Sequence, residues 1–350
     1  LKKINKTSMQ DIADYVGVSK NCVSLALNGK RGVSELVRER IIQAAHDLNY
    51  AGRGEIIRKK MPKSIIVLAP EYVMMDRIFY PQFISDIGKE CRLHGYNAIF
   101  TDISSNMEIE LILPDILLEV DHLGIIVVGV LSKSYVRHLN DTLFSVVLVD
   151  NYHHDSYCNV VVTENIQGAY AAVQHLMEKG HKEIGFIGPI NATSSNYERW
   201  IGYSKALSDN KLRVYHEYCL TESLYLSCSN TEIDEFITSL SSYPTAWFCS
   251  NDSMAISLIQ SLNRKEIEVP KDVSGLEFDD IELAEIVIPS LSTIRVKIDV
   301  IARQAVSLLL SLWATDDEQP NKKISVYGEL VCRDSVKDIT IDNSVAIQQI

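Results

Sequence analysis

Polar and apolar positions follow two different periods along this 350-residue chain. Over the first fifty residues the period is helical. Ile12, Ala13 and Val16 form an apolar stripe. Ser8 is a strong N-cap ahead of it, and Asp11, three residues on, completes a capping-box pattern. Gly17 supplies a turn that can take positive φ. Ser19 caps a second helix, with Val23, Ala26 and Leu27 facing inward and Lys20, Asn21, Ser24 and Leu25 outward. Ser34 caps a third, where Leu36, Val37, Ile41, Ala44, Ala45 and Leu48 repeat at helical spacing until Asn49-Tyr50. Two short helices joined by a tight turn read as a helix-turn-helix, which sets the start of its second helix in the major groove of DNA. A small bundle with no DNA partner is the competing reading of these residues.

Beyond residue 63 the pattern changes to short apolar runs alternating with amphipathic stretches. Ser64–Pro70 is a continuous apolar run suited to a buried parallel strand. A helix over roughly 82–94, strand 97–101, a helix near 107–119, and strands 124–129, 145–150 and 159–163 follow. The rhythm restarts with helix 168–179, strand 183–188, helices 197–210 and 232–240, strand 246–250, helix 252–263 and strand 273–278. Two successive βαβ series predict two doubly wound parallel-sheet lobes, with ligand sites at the carboxyl ends of strands and a cleft between lobes. Gly185 and Gly188 stand alone, so they read as packing positions and form no phosphate loop.

Charge divides the chain at the same place. Residues 1–63 hold 13 Lys and Arg against 6 Asp and Glu, net +7, whereas the whole chain is −12, leaving −19 on residues 64–350. A basic head on an acidic body is the asymmetry expected when only the head meets phosphate. No 18-residue apolar run predicts a membrane span, and Leu1-Lys-Lys-Ile-Asn-Lys6 lacks the apolar core of a secretion signal. The seven cysteines (22, 91, 158, 219, 228, 249, 332) are scattered, with no Cys-x-x-Cys pair. They read as free thiols in a reducing cytoplasm. His153-His154 near Cys158 is too thin a cluster for zinc, and no catalytic triad order appears, so neither enzyme, metal nor cofactor is expected.

Ordered pieces carry a family resemblance. In the head they are Asp11-Ile-Ala, Gly17-Val-Ser, Val23-Ser, Leu27-Asn-Gly29, Val33-Ser34 and Leu48-Asn-Tyr50. In the body they include Phe79-Tyr80, Gly95-Tyr96, Gly180-His-Lys-Glu-Ile184, Arg199 with Gly202-Tyr203, Pro244-Thr-Ala246, Asn251-Asp-Ser-Met-Ala255, Val269-Pro-Lys-Asp-Val273, Phe278-Asp-Asp280, Pro289–Ile294 and Leu330–Ser335. Through them the chain resembles the lactose-repressor/galactose-repressor (LacI/GalR) family of bacterial transcription regulators. The resemblance implies an all-α helix-turn-helix head (1–50), a hinge (51–63) and a periplasmic-binding-protein-like body of two lobes. Crossings near 164, 291 and 325 divide that body into an N-terminal lobe (64–164 and 291–324) and a C-terminal lobe (165–290 and 325–338), with a tail at 339–350. It also implies a homodimer on double-stranded operator DNA, a small-molecule effector in the interlobe cleft, a cytoplasmic location and no membrane partner.

The resemblance assigns Lys20, Asn21, Ser24 and Leu25 to the reading face. Lys suits guanine and Asn suits adenine. Leu25 stands where Arg is frequent and offers only apolar contact, for example to a thymine methyl. Ser8, Ser19, Asn28 and Arg31 are candidate phosphate contacts, with pure capping the alternative for both serines. The family's hinge Leu wedges into the minor groove, but that position aligns with Lys59 here, and Gly52 and Gly54 weaken a helix by about 1 kcal/mol each. Ile56 or Ile57 is the alternative wedge, and Arg53, Arg58, Lys59 and Lys60 are alternative phosphate ligands. For the effector the resemblance implies Phe79, Tyr80, Asp150, Arg199, Tyr225, Asn251 and Asp279, a set suited to a sugar or, with stacking, to a nucleobase. Arg199 could instead be a surface ion-pair residue, and Asp279 and Asp280 could merely cap a helix. Trp200 and Trp247 are expected in the core. Glu277 replaces a frequent Gly and is expected to narrow or charge the pocket. A sugar-binding receptor with no DNA role would share the body but lack the head.

Overall fold

The computed structural model describes residues 8–27, 33–48, 62–142, 144–223, 225–313 and 320–340. The chain divides into two units, Leu1–Pro62 and Lys63–Ile350. In the first unit, helices Met9–Val16, Lys20–Leu27 and Glu35–Asp47 enclose a core of Ile12, Ala13, Val23, Ala26, Ile41, Ala44 and Ala45. Leu36, expected on the apolar face of the third helix, is 71% exposed. It lies in the first turn, one position off the stripe that Val37, Ile41, Ala44 and Ala45 share.

The second unit holds β1 (Ser64–Pro70), β2 (Asn97–Ile103), β3 (His122–Val128), β4 (Val146–Val149), β5 (Asn159–Thr163), β6 (Ile184–Ile187), β7 (Cys219–Leu220), β8 (Ala246–Cys249), β9 (Ser274–Asp279), β10 (Ser292–Arg295), β11 (Lys323–Val326) and β12 (Glu329–Val331). These form two six-stranded sheets ordered β11-β5-β4-β3-β1-β2 and β12-β10-β9-β8-β6-β7. All neighbours run parallel except the β10–β12 edge pair. Helices cover both faces, so strand residues of either parity are buried. On β1, Ile65, Val67 and Ala69 enter one core cluster while Ile66 and Leu68 enter another. That two-sided burial is why β1 reads as an unbroken apolar run.

β5 ends at Thr163 and the next helix begins at Asn165, so the first crossing falls at Glu164, where it was expected. Other boundaries differ from the sequence reading. β10 pairs with β9 in the second sheet, which moves the crossing expected near 291 beyond Arg295. β11 pairs with β5 through Val326, which moves the crossing expected near 325 beyond that residue. The helix expected near 107–119 is two, Ser105–Glu110 and Ile116–Glu119. Leu111 takes a left-handed conformation (φ 57°) at the end of the first, and Pro114 cannot continue the backbone ladder. At the other end of the body, the Ile339 N–H donates to the Lys179 carbonyl at 2.9 Å, so the start of the expected tail is part of the fold. Residues 341–350 and the hinge at 51–61 lie outside the described residues. No helix among those described is long and apolar enough to cross a membrane.

Two glycines set the packing of the second lobe. A Cβ on Gly185 of β6 would meet Trp247 Nε1 at 2.3 Å. The indole occupies that space and donates to the Tyr218 carbonyl at 3.0 Å. Gly202 lets helix Ser194–Asp209 press against helix Asn165–Glu178, where a Cβ would lie 2.2 Å from the Ile166 carbonyl oxygen and 2.8 Å from Ala169 Cβ. Backbone on one side leaves no route of relief. Gly202→Ala is therefore expected to destabilise the body by about 1–3 kcal/mol, read as a lowered denaturation midpoint in urea. An unchanged midpoint would show that the two helices can separate freely.

Candidate functional site

The start of the second helix is built by caps on either side of the turn. Ser8 and Asp11 exchange hydrogen bonds in a capping box, Ser8 N–H to Asp11 Oδ2 at 2.6 Å and Asp11 N–H to Ser8 Oγ at 3.3 Å. Gly17 has φ 75°, and its N–H donates to the Ala13 carbonyl at 2.9 Å. Ser19 Oγ accepts from Cys22 N–H at 3.1 Å. Both serine hydroxyls thus act as caps. Val23 and Ala26 are buried, which turns Lys20 and Asn21 outward as exposed residues in the first helical turn, with Ser24 and Leu25 half-buried beside them. Arg38 closes the far end of that helix by donating to the Ala26 carbonyl at 2.9 Å. Asn28, Arg31, Arg53, Ile56, Ile57, Arg58 and Lys59 lie outside the described residues.

In the body, six of the seven expected effector residues line one cavity of about 280 Å³: Phe79, Tyr80, Asp150, Arg199, Asn251 and Asp279. They come from both lobes: Asp150, Asn251 and Asp279 at the carboxyl ends of β4, β8 and β9, where a doubly wound sheet places its ligands, Phe79 and Tyr80 at the start of helix Tyr80–Leu93, and Arg199 on helix Ser194–Asp209. Asp150 follows β4 with φ 73°, and Asp279 ends β9 with φ 114°. These are left-handed geometries that turn each carboxylate out of its strand. Asp76 Oδ2 accepts from the N–H groups of Phe79 and Tyr80 at 2.8 and 2.7 Å, fixing the turn that presents both rings. The Tyr80 hydroxyl donates to Asp150 Oδ2 at 3.1 Å. Phe79 packs against the cores of both lobes.

Arg199 is the central cation and is only 4% exposed, which excludes a surface role. Its Nε donates to Asn165 Oδ1 at 3.0 Å, Nη1 donates to the Ser250 carbonyl, and Nη2 pairs with Asp279 Oδ1 at 3.0 Å. The guanidinium lies 3.8 Å over the Phe278 ring centroid. Desolvation pushes the Asp279 carboxyl up to about 7, with Arg199 pulling it down and Asp150 pushing it further up. Burial likewise raises Asp150 against the pull of Arg199. Asp252, next to Asn251, accepts from Thr293 Oγ1 at 2.7 Å and Ile281 N–H at 2.8 Å, and burial raises it to about 8.

Beside Arg199, Glu198 is 4% exposed and gathers donors from both lobes. It accepts from the Tyr152 hydroxyl at 2.6 Å, from Asn165 Nδ2 at 3.0 Å and from Lys323 Nζ at 2.8 Å. Asn165 follows the first crossing, and Lys323 lies on β11, ahead of the last.

Other expectations are revised. Tyr225 does not line the cavity; it is 65% exposed and borders a neighbouring pocket, while Leu226 and Ser227 occupy the lining. Glu277 does not narrow the cavity. Strand alternation puts Phe278 in one core cluster and Glu277 on the opposite face, 1% exposed, where desolvation and Asp252 raise its pKa well above the usual carboxylate range. Neither Asp279 nor Asp280 caps a helix. The cap of Glu282–Ile286 is Ile281, and Asp280 pairs with Arg295 at 2.5 Å and Arg333 at 2.7 Å. Trp247 and Trp200 do lie where expected, the first fully buried and the second packed on the core, outside the cavity. Thr193 and Asn196 line the cavity without having been foreseen. The polar run Thr193-Ser-Ser-Asn196 marked them, since Thr193 N-caps the Arg199 helix through Asn196 N–H at 3.0 Å.

Comparison with known proteins follows this division of the chain. Residues 8–52 match the family of bacterial regulatory proteins, lacI family, and residues 173–336 match a periplasmic binding protein-like domain. The HTH-type transcriptional repressor PurR of Vibrio cholerae serotype O1 is 27% identical over 338 residues, covering 95% of this chain and 99% of the relative. That of Haemophilus influenzae (strain PittEE) is 28% identical over 341 residues with the same coverage. Among solved structures, a transcriptional regulator CelR–cellobiose complex superposes with TM-score 0.69 at 19% identity, covering 94% of this chain and 100% of that one. The lac repressor dimer bound to operator and the anti-inducer ONPF gives TM-score 0.67 at 21% identity, covering 95% and 100%. Residues 8–52 thus carry a lacI-family regulatory head and residues 173–336 a periplasmic binding protein-like body, the make-up of a DNA-binding transcription regulator rather than of an enzyme.

Proposed function

We propose that this regulator is an operator-binding repressor whose DNA affinity is set by a small polyhydroxylated metabolite, a sugar or sugar derivative, held in the 280 Å³ interlobe cavity. The observation that carries this reading is the set of acceptors gathered around Arg199. Asp279 and Asp150 offer carboxylate oxygens, and Asn196 keeps Oδ1 without a hydrogen-bond partner among the described residues although the residue is only 4% exposed. Acceptors of that kind suit the hydroxyl donors of a sugar, and Phe79 offers a ring for its apolar face. Expression control then follows from linkage: a ligand shifts the body only by its differential affinity for two conformations, and DNA changes ligand affinity by the same factor.

At the DNA end, Lys20 and Asn21 read base edges and Leu25 makes apolar contact, while Ser8, Ser19, Asn28 and Arg31 position the head on phosphate. Arg53, Ile56, Ile57, Arg58 and Lys59 serve the hinge segment. A homodimer supplies two heads for a near-palindromic operator, and the regulator acts in the cytoplasm, where its operator lies. A nucleobase is the second reading. Its support is the full-length relatedness to repressors named PurR and the Phe79–Tyr80 ring pair, whose centroids are 5.3 Å apart.

A thermal-shift screen with sugars, sugar phosphates and nucleobases separates the two readings, because a ligand at a hundred times its Kd stabilises by about 2.7 kcal/mol. A shift with purines and none with sugars would replace the first reading by the second. Asp279 adds a pH signature. Its carboxyl titrates near 7 in the free protein, and only the ionised form is a strong acceptor. Effector affinity measured by calorimetry is expected to rise between pH 6 and 8, and Asp279→Asn to bind more weakly with no such rise; an equal slope in both proteins would remove Asp279 from the contact. In the head, Asn21→Ala is expected to cost about 1–3 kcal/mol of operator binding and to relax sequence preference. Unaltered preference in a binding-site selection would remove Asn21 from the reading face.

A further inference from the structure

A second cavity of about 500 Å³ opens beside the first and shares Val130 and Thr193 with it. Like the inner cavity it is walled by both lobes, by residues 151–155 after β4 and by residues 190–197 leading into the Arg199 helix. His153 and His154, too thin a cluster for zinc, belong to this wall. Its wall carries an edge-to-face ladder of three rings. His154 meets Tyr152 at 4.9 Å and Tyr197 at 5.5 Å between centroids, with interplanar angles of 70° and 71°.

Several uncharged polar groups on its wall are without partners. Asn151 is 5% exposed and uses Oδ1 to accept from the Ser194 N–H and hydroxyl, both at 2.9 Å. Its Nδ2 donates to no group among the described residues, and neither the Asn191 side-chain amide nor the Tyr197 hydroxyl has a hydrogen-bond partner there. The carboxylate on this wall, Asp155, is taken by Lys133, and His153 Nε2 lies 2.9 Å from the Leu131 carbonyl. The inner cavity has the opposite character, with its buried charges around Arg199.

We propose that the outer cavity is a second saccharide subsite, so that the effector is a two-ring carbohydrate, its first ring held at Arg199 and Asp279 and its second, uncharged ring against Tyr152, His154 and Tyr197. The proposal rests on the sugar reading above. At 280 Å³ the inner cavity alone lies just below the roughly 300–1,000 Å³ of pockets that hold drug-sized ligands, and adding the outer space brings the site well inside that range. Rings edge-on and face-on suit the C–H faces of a pyranose, and a free amide donor suits its hydroxyl oxygens. A phosphate or carboxylate on the second ring is disfavoured, because no free cation lines this wall among the described residues.

Calorimetry on the full chain tests this with glucose and galactose against cellobiose, maltose and lactose. The expected result is a disaccharide bound at least tenfold tighter than its component monosaccharide. Tyr197→Ala and His154→Ala, both at exposed positions, should erase that advantage and leave monosaccharide affinity unchanged. Asn251→Ala should weaken both ligands. Monosaccharide binding without a disaccharide advantage, or variants that weaken both ligands equally, would overturn the second subsite and leave the sugar reading standing. Absence of binding by any saccharide, alongside binding of adenine or guanine, would overturn both.

Discussion

The Arg199–Asp279 ion pair holds together parts of the body that the chain brings from far apart. Among the described residues Arg199 is the only buried Arg or Lys, and every nitrogen of its guanidinium has a partner: Asn165 after the first crossing, the carbonyl at the end of β8, and the carboxylate at the end of β9. Phe278 supplies a face for the cation from the same strand. A buried ion pair of this kind adds little net stability, whereas deleting one partner costs about 3–5 kcal/mol because the other charge is left stranded. Its importance is therefore geometric. The pair fixes the strand ends that shape the cavity floor, and it leaves further lone pairs of Asp279 for a ligand.

Around that cation the acids outnumber the bases. Asp150, Asp252, Glu277 and Asp279 all carry raised pKa values, and desolvation is the leading cause in each. Such a cluster is tolerable in the free protein because some of these carboxyls hold their protons near neutrality. Donors arriving with a ligand would change that balance, favouring the ionised carboxylates they bond. The inner cavity is thus chemically tense and the outer one neutral, which is the contrast expected of a site that orients one end of its ligand and merely accommodates the other.

Much of this was legible in the sequence. Helix caps in the head are local events, so Ser8, Asp11, Gly17 and Ser19 revealed themselves by type and spacing. Two-sided burial of parallel strands writes itself as apolar runs, and β1, β3 and β5 were read from that signal. Six cavity residues were legible through the family resemblance: Asp150, Asn251 and Asp279 stand at strand ends, Phe79 and Tyr80 open a helix, and Arg199 lies within one. What local pattern does not encode is the partner of a strand. β10 and β11 are short and unremarkable in composition, and only long-range pairing decides which sheet each joins, so two lobe boundaries shifted by a few residues. Tyr225 lies between β7 and the helix at Asn230–Ser239, where neither a strand end nor a helix holds a side chain to a fixed position. Glu277 was misjudged because strand parity turned it away from the cavity. The neutral wall of rings escaped notice because Tyr152, His154 and Tyr197 lie more than forty residues apart at their extremes and meet only across the cleft.

Glu198 gives the body an internal tie. One buried carboxylate is shared by Asn165, Lys323 and Tyr152, so the chain passages on either side of it are tied to a common anchor. Pulling any of these donors away would leave a carboxylate that is only 4% exposed short of hydrogen bonds, which is costly. The anchor therefore works as a rivet where the chain passes between lobes, one residue from the cation at the cavity floor.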